Sequence, residues 1–135
     1  MADAAGLHRE MIETVERRDL DSLRDLYAAD YEYWGNDGTA GDIEAAIGVA
    51  EMYTSAFPDL TFEIVHETSC GDVSVVEFVA RGTNTAPLGD TPATGKRAEV
   101  AVCNIIEVSG GKIRREREYF DQLGMLQQLG LIPEG

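Results

Sequence analysis

Glu116 and Glu118 stand two residues apart in the stretch REREYFDQLGMLQQLG, residues 115–130, and Asp121 follows three residues after Glu118. At strand spacing Arg114, Glu116, Glu118 and Phe120 share one face, and Arg115, Arg117 and Tyr119 share the other. Whichever face is interior therefore carries ionisable groups. A buried carboxylate is costly unless it is paired or takes up a proton. An interior Glu118 would have its pKa lifted toward neutrality, the range of a general acid or base. Such a group can take a proton from a carbon between two carbonyls and return it to a new alkoxide. The competing reading is a solvated or subunit-rim strand whose charges are paired.

The preceding hairpin decides what Glu118 faces. A three-residue Ser109-Gly110-Gly111 loop puts even-numbered residues opposite even-numbered ones, so that Glu116 and Glu118 share a face with Val102, Asn104 and Ile106. A two-residue Gly110-Gly111 turn would instead bring Glu118 beside Cys103 and Ile105. The first is favoured, because Asn104 is the one polar residue between Ala101 and Ile106 and needs a polar partner.

Other candidates are weaker one by one. Asn84 and Asn104 are read as hydrogen-bonding ligand contacts or their supports. Tyr33 and Trp34 alternate in direction, so one of them lines a cavity. Asp121 opens the last helix, where an N-cap role is favoured over catalysis. His66 reads as a core or rim histidine, with His8 far off on a helix, and no metal site is expected. No Ser-His-Asp, Cys-His or phosphate-loop pattern appears.

The elements that must position these groups follow from periodicity. A helix is predicted from about Asp3 to Arg18 on the stripe Leu7, Met11, Val15, and a second over RDLDSLRDLYAADY, capped by Asp19 or Asp21. YEYW, residues 31–34, reads as a brief strand, and GDIEAAIGVAEMYTSAF as a third helix ended by Pro58. From Leu60 the period changes to two over four long strands, and a helix stub closes with Gly130. Helices followed by a run of antiparallel strands describe an α+β fold, a curved sheet folded over helices with a pocket between them. The irregular stretch TNTAPLGDTPATG, residues 83–95, is a candidate gate for that pocket.

At 135 residues the chain suits one domain, residues 1–135. Its 25 acidic and 11 basic residues give a formal net charge of −14, which repels nucleic acid and anionic membrane surfaces. The two cysteines have no metal-ligand spacing, and the N-terminus has no apolar core segment, so a cytoplasmic protein without disulfides is expected.

Three patches together, RGTNTAPLGDTPATGK (81–96), GGKIRREREYFDQLGMLQQLG (110–130) and the element order, resemble the SnoaL-like polyketide cyclase, or ester cyclase, family of the nuclear transport factor 2-like superfamily. The resemblance implies a cone-shaped barrel, a homodimer or homotetramer, with a cavity for a small hydrophobic carbonyl compound and no cofactor. In the family an acid on the last strand, three positions before the aspartate that opens the final helix, is the general acid/base of an intramolecular aldol closure. By that spacing Glu118 takes the catalytic place and Asp121 the flanking one. Asn84 and Asn104 stand where the family often has histidine, and Glu118 where it often has aspartate. A non-catalytic binding domain is the alternative on the same fold.

Overall fold

The computed structural model describes residues 3–133. Its elements run α1 (Ala4–Glu16), α2 (Leu20–Asp25), β1 (Tyr27–Trp34), β2 (Ala40–Gly41), α3 (Ile43–Ala56), β3 (Thr61–Cys70), β4 (Val73–Thr83), β5 (Arg97–Ser109), β6 (Lys112–Phe120) and α4 (Gln122–Gln128). All four helices start on an aspartate whose carboxylate accepts a backbone N–H: Asp3 from Gly6, Asp19 from Ser22, Asp42 from Ala45 and Asp121 from Gly124. A short acceptor beside the unpaired amides of a first turn is the strongest local start signal a sequence offers. No helix is long and apolar enough to cross a membrane among the described residues.

The strands form one six-stranded sheet in the order β2-β1-β6-β5-β4-β3. Every neighbouring pair is antiparallel except β1 and β6. One face packs on the helices. Leu7, Met11 and Ile12 of α1, Leu23 of α2, and Ala46 and Ile47 of α3 meet Val76, Phe78, Val102, Ile106 and Ile113 of the sheet in one core. Fully burying a Leu or Ile side chain is worth about 1.5–3 kcal/mol, so this cluster is what holds the helices against the sheet.

Two local features differ from the sequence expectation, and both aim side chains at the site. The predicted second helix stops at Asp25, and β1 begins at Tyr27, four residues earlier than expected. Tyr27 pairs with Ile113 of β6, and pairing resumes at Glu32 with Arg115, so β1 bulges between them. Tyr27, Tyr31 and Tyr33 are all buried as a result. An aromatic run that can pair with a central strand is stabilised there over a solvent-facing last helical turn.

The second feature is the β5–β6 hairpin. Ser109 pairs with Lys112, so the connection is the two-residue turn Gly110-Gly111, with φ of +60° and +77°. Such a turn needs positive φ at both positions, which glycine alone adopts without strain. Taken alone it would reverse the favoured parity. The ladder then slips between Val108, opposite Ile113, and Glu107, opposite Arg115. Arg114 is the extra residue of this β-bulge, and its Nε donates to Asp30 Oδ2 at 3.1 Å on the outside of the sheet. Arg114 therefore does not share the face of Glu116. The bulge restores even-to-even pairing: Ile106 faces Glu116, Asn104 faces Glu118, and Val102 faces Phe120.

Candidate functional site

The helix-facing side of β6 turns two carboxyls inward among apolar side chains. Asn104 on β5 holds both: its Nδ2 donates to Glu116 Oε2 at 2.8 Å and to Glu118 Oε2 at 2.9 Å. Glu116 lies deeper, and its Oε1 accepts a hydrogen bond from the Tyr31 hydroxyl at 2.5 Å. The Tyr31 ring stacks on Tyr27, with centroids 4.1 Å apart. Behind Asn104, its Oδ1 lies 2.7 Å from His8 Nε2, and His8 Nδ1 lies 2.8 Å from Ser74 Oγ. Asn104, His8 and Ser74 are all at or below 1% exposed, so every polar atom in this chain needs its partner.

A cavity of about 140 Å³ opens in front of this cluster. Its walls come from α1 (Met11, Ile12, Val15), α3 (Val49, Ala50, Tyr53), β1 (Tyr27, Tyr33) and the sheet (Phe62, Phe78, Val100, Val102), with Phe120 and Met125 at the far end. Asn104, Glu116 and Glu118 are concentrated on one wall of a lining that is otherwise apolar but for Thr54 and the tyrosine hydroxyls. An adjoining hollow of about 270 Å³, lined by Asn36, Asp37, Thr39 and Gln122, shares Tyr33, Val49, Tyr53, Glu118 and Phe120 with it. Glu118 thus borders both spaces, while Glu116 borders only the inner one.

The electrostatics follow from burial. Glu118 is pushed up to about 7, first by desolvation and then by the charge of Glu116, with the Asn104 hydrogen bond opposing. Glu116 is also raised by burial, against hydrogen bonds from Tyr31 and Asn104. Two carboxyls on one amide repel when both are ionised, so the pair titrates as a unit and keeps a proton into the neutral range. His8 is held below the ordinary histidine value by burial, opposed by its Asn104 hydrogen bond and the charge of Glu67. Burial, joined by the nearby carboxylate charges, drives the Tyr27, Tyr31 and Tyr33 hydroxyls upward, so these phenols stay protonated as donors. A half-buried acid poised near neutrality at the edge of an apolar hollow can accept a proton from carbon and give it back to oxygen.

The structure brings together Glu118, Asn104, Val102 and Tyr33 from the expected set, all on the cavity wall. It separates the rest. Trp34 is 37% exposed and its indole N–H donates to Glu32, because it alternates with Tyr33 and points outward. Asp121 is exposed and caps α4, accepting from Gly124 N at 2.8 Å. A Cβ on residue 124 would lie 2.4 Å from Asp121 Oδ2, so glycine there makes room for the cap.

Asn84 is buried outside the cavity. Its Nδ2 donates to the carbonyls of Ala56 and Ala86 at 3.2 and 2.8 Å, and its Oδ1 accepts from Thr94 N at 2.9 Å. Every polar atom of the amide is spent on shaping the 83–95 loop. That loop contributes no side chain to either hollow, contrary to the gating expectation.

Glu116, Tyr31 and His8 belong to the cluster without having been singled out by sequence. Glu116 was readable from its parity with Glu118. Tyr31 was hidden by the β1 bulge. His8, 96 positions from Asn104, carried no local signal beyond a polar residue beside the apolar stripe of α1.

Comparison with known proteins agrees with this architecture. The sequence profile of the SnoaL-like polyketide cyclase family matches residues 5–129. No curated protein matches the chain. Among solved structures, IdmH from Streptomyces antibioticus, provisionally described as a polyketide cyclase, is 28% identical with a TM-score of 0.84, covering 96% of this chain and 99% of its own. AclR from Streptomyces galilaeus, provisionally described as a hydroxylase, is 19% identical with a TM-score of 0.86, covering 96% and 82%. An epoxide hydrolase of the LEH-like type from M. tuberculosis is 16% identical with a TM-score of 0.72, covering 93% and 88%. The α+β sheet wrapped around N-terminal helices is thus the nuclear transport factor 2-like fold expected from sequence. The chain belongs to the SnoaL-like polyketide cyclase family.

Proposed function

We propose that the protein catalyses an acid/base reaction, an aldol-type cyclisation or an isomerisation, on a small hydrophobic carbonyl compound, with Glu118 as the proton-transfer group. The observation that carries this reading is the placement of Glu118: it borders an apolar cavity, and Asn104 ties it to a second, deeper carboxyl. Ionised Glu118 takes a proton from a carbon flanked by two carbonyls, leaving an enolate. The enolate carbon attacks a third, more distant carbonyl carbon of the same molecule and forms the new C–C bond. The resulting alkoxide takes the proton from Glu118, which returns to its starting state.

Glu116 supports this cycle as the deeper carboxyl, held by Tyr31 and Asn104, whose charge raises the proton affinity of Glu118 and so makes it a stronger base. The apolar walls offer an enolate few polar partners besides the acid cluster, so binding and orientation are left largely to shape. The fold neighbours described as a polyketide cyclase, a hydroxylase and an epoxide hydrolase place no limit on chemistry within this fold. Like its family, the protein is proposed to work as a homodimer or homotetramer in the cytoplasm, with light scattering as the check on assembly.

A second reading, small-molecule binding without turnover, is favoured by a mostly apolar lining and by an asparagine where the resemblance places histidine. Glu118→Gln separates the two. Loss of catalysed proton exchange at the central carbon of a neutral 1,3-dicarbonyl compound with binding retained supports catalysis, whereas full exchange in the variant overturns it.

A further inference from the structure

Asn104 can serve the two glutamates in one orientation only. Both carboxyls meet the same end of the amide, and an ionised carboxylate accepts hydrogen bonds and cannot donate, so as soon as either acid is ionised that end must be the NH₂ and the carbonyl oxygen must point away from them. That oxygen then meets His8 Nε2 at 2.7 Å, where both residues are fully buried. The pairing needs a proton on Nε2. With the imidazole neutral, Nδ1 is an acceptor, and the group facing it at 2.8 Å is the Ser74 hydroxyl, which can donate. The chain therefore has one consistent direction: Ser74 O–H to His8 Nδ1, His8 Nε2–H to Asn104 Oδ1, Asn104 N–H bonds to both carboxyls.

We propose that His8, oriented by Ser74, is a positioning residue that fixes the Asn104 amide with both of its N–H bonds on the Glu116–Glu118 pair. His8 touches neither cavity, so it acts through Asn104 and not on substrate. The inference rests on the reading of that pair as the reactive group, but its test does not depend on turnover. Other titratable groups facing the cluster are Tyr27, Tyr31 and Tyr33 of β1, Tyr53 of α3 and Glu67 of β3. The tyrosines stay neutral, and Glu67 is engaged by Arg9, so none offers an alternative hold on the amide.

The removal of His8 should free the amide to rotate and weaken its donation to Glu118, a hydrogen bond that favours the ionised form. Carbon-detected NMR titration of the intact protein reads this directly. In His8→Phe the Glu118 midpoint should move upward by about one pH unit, the scale of one lost hydrogen bond to a carboxylate. In His8→Gln, whose amide can still donate to Asn104 and accept from Ser74, the midpoint should return to the wild-type value.

A folded His8→Phe with an unmoved midpoint overturns the proposal, as does a His8→Gln no closer to wild type than His8→Phe. Should His8→Phe fail to fold, nitrogen NMR of the imidazole in the wild-type protein decides. A neutral ring protonated on Nε2 at neutral pH supports the chain, and a cation or the Nδ1–H tautomer overturns it. Failure here would leave the acid/base role of Glu118 standing, since that role is read from proton exchange in Glu118→Gln.

Discussion

Asn104 lies directly across the β5–β6 ladder from Glu118, and its amide nitrogen sits 2.9 Å from one carboxyl and 2.8 Å from another, Glu116. One neutral donor thus serves two buried acids. A lysine or arginine there would hold both acids ionised and far below neutrality, while an apolar residue would leave them unsupported. The amide supports both acids without fixing their charge, so a proton can still be exchanged.

This arrangement costs stability, and the cost depends on pH. In the unfolded chain Glu118 has its ordinary value of 4.5, and in the fold it is about 7, so the folded state binds the proton more tightly. Stability from this group is therefore greatest below about pH 4.5, falls as pH rises, and is fully lost above the folded value. Glu118→Gln, a neutral isostere, should unfold at higher urea concentration than wild type above neutrality, by on the order of 2–3 kcal/mol, and show little difference in mild acid. Urea titrations at both pH values check this, and an equal difference at the two would contradict it.

Asn104→Leu removes the donor from both carboxyls and the acceptor from His8 Nε2–H in a fully buried place. Each stranded polar group costs about 1–3 kcal/mol. Destabilisation of about 3 kcal/mol or more is expected in thermal or urea unfolding, together with an upward move of the Glu118 midpoint.

Asn84→Ala should act on the loop and not on the acids. Its side chain bonds Ala56, Ala86 and Thr94, so its loss should open residues 83–95. Faster amide exchange at Thr94, whose N–H bonds Asn84 Oδ1, is the local signature, with a global loss of about 1–3 kcal/mol. The Glu118 midpoint should not move.

How far the sequence led can be seen at β6. Period-two alternation and the polarity of Asn104 led to the right partner for Glu118, although by the wrong turn: a two-residue glycine turn and a bulge at Arg114 give the parity that a three-residue loop would also give. Bulges escape sequence reading because one extra residue leaves local composition unchanged while exchanging the faces. The aspartate caps of α2 and α4 were legible because capping is local. Tyr31 and His8 were not, since one depends on how β1 bulges against β6 and the other on α1 crossing the sheet above Ser74 and Asn104. Asn84 shows the reverse case, in which a buried amide read as a ligand contact or its support lies outside the cavity and satisfies backbone.

The most direct test of Glu118 as the proton-transfer group is the pH dependence of deuterium exchange at the central carbon of a neutral aryl 1,3-diketone, in wild type and in Glu118→Gln. Wild type should accelerate exchange above the buffer rate, with activity rising through a midpoint of about 7 as Glu118 ionises. The variant should lose roughly 100-fold or more, the usual share of a positioned general base. Exchange in Glu118→Gln at the wild-type rate and with the wild-type pH profile, or no acceleration by wild type, would contradict the account.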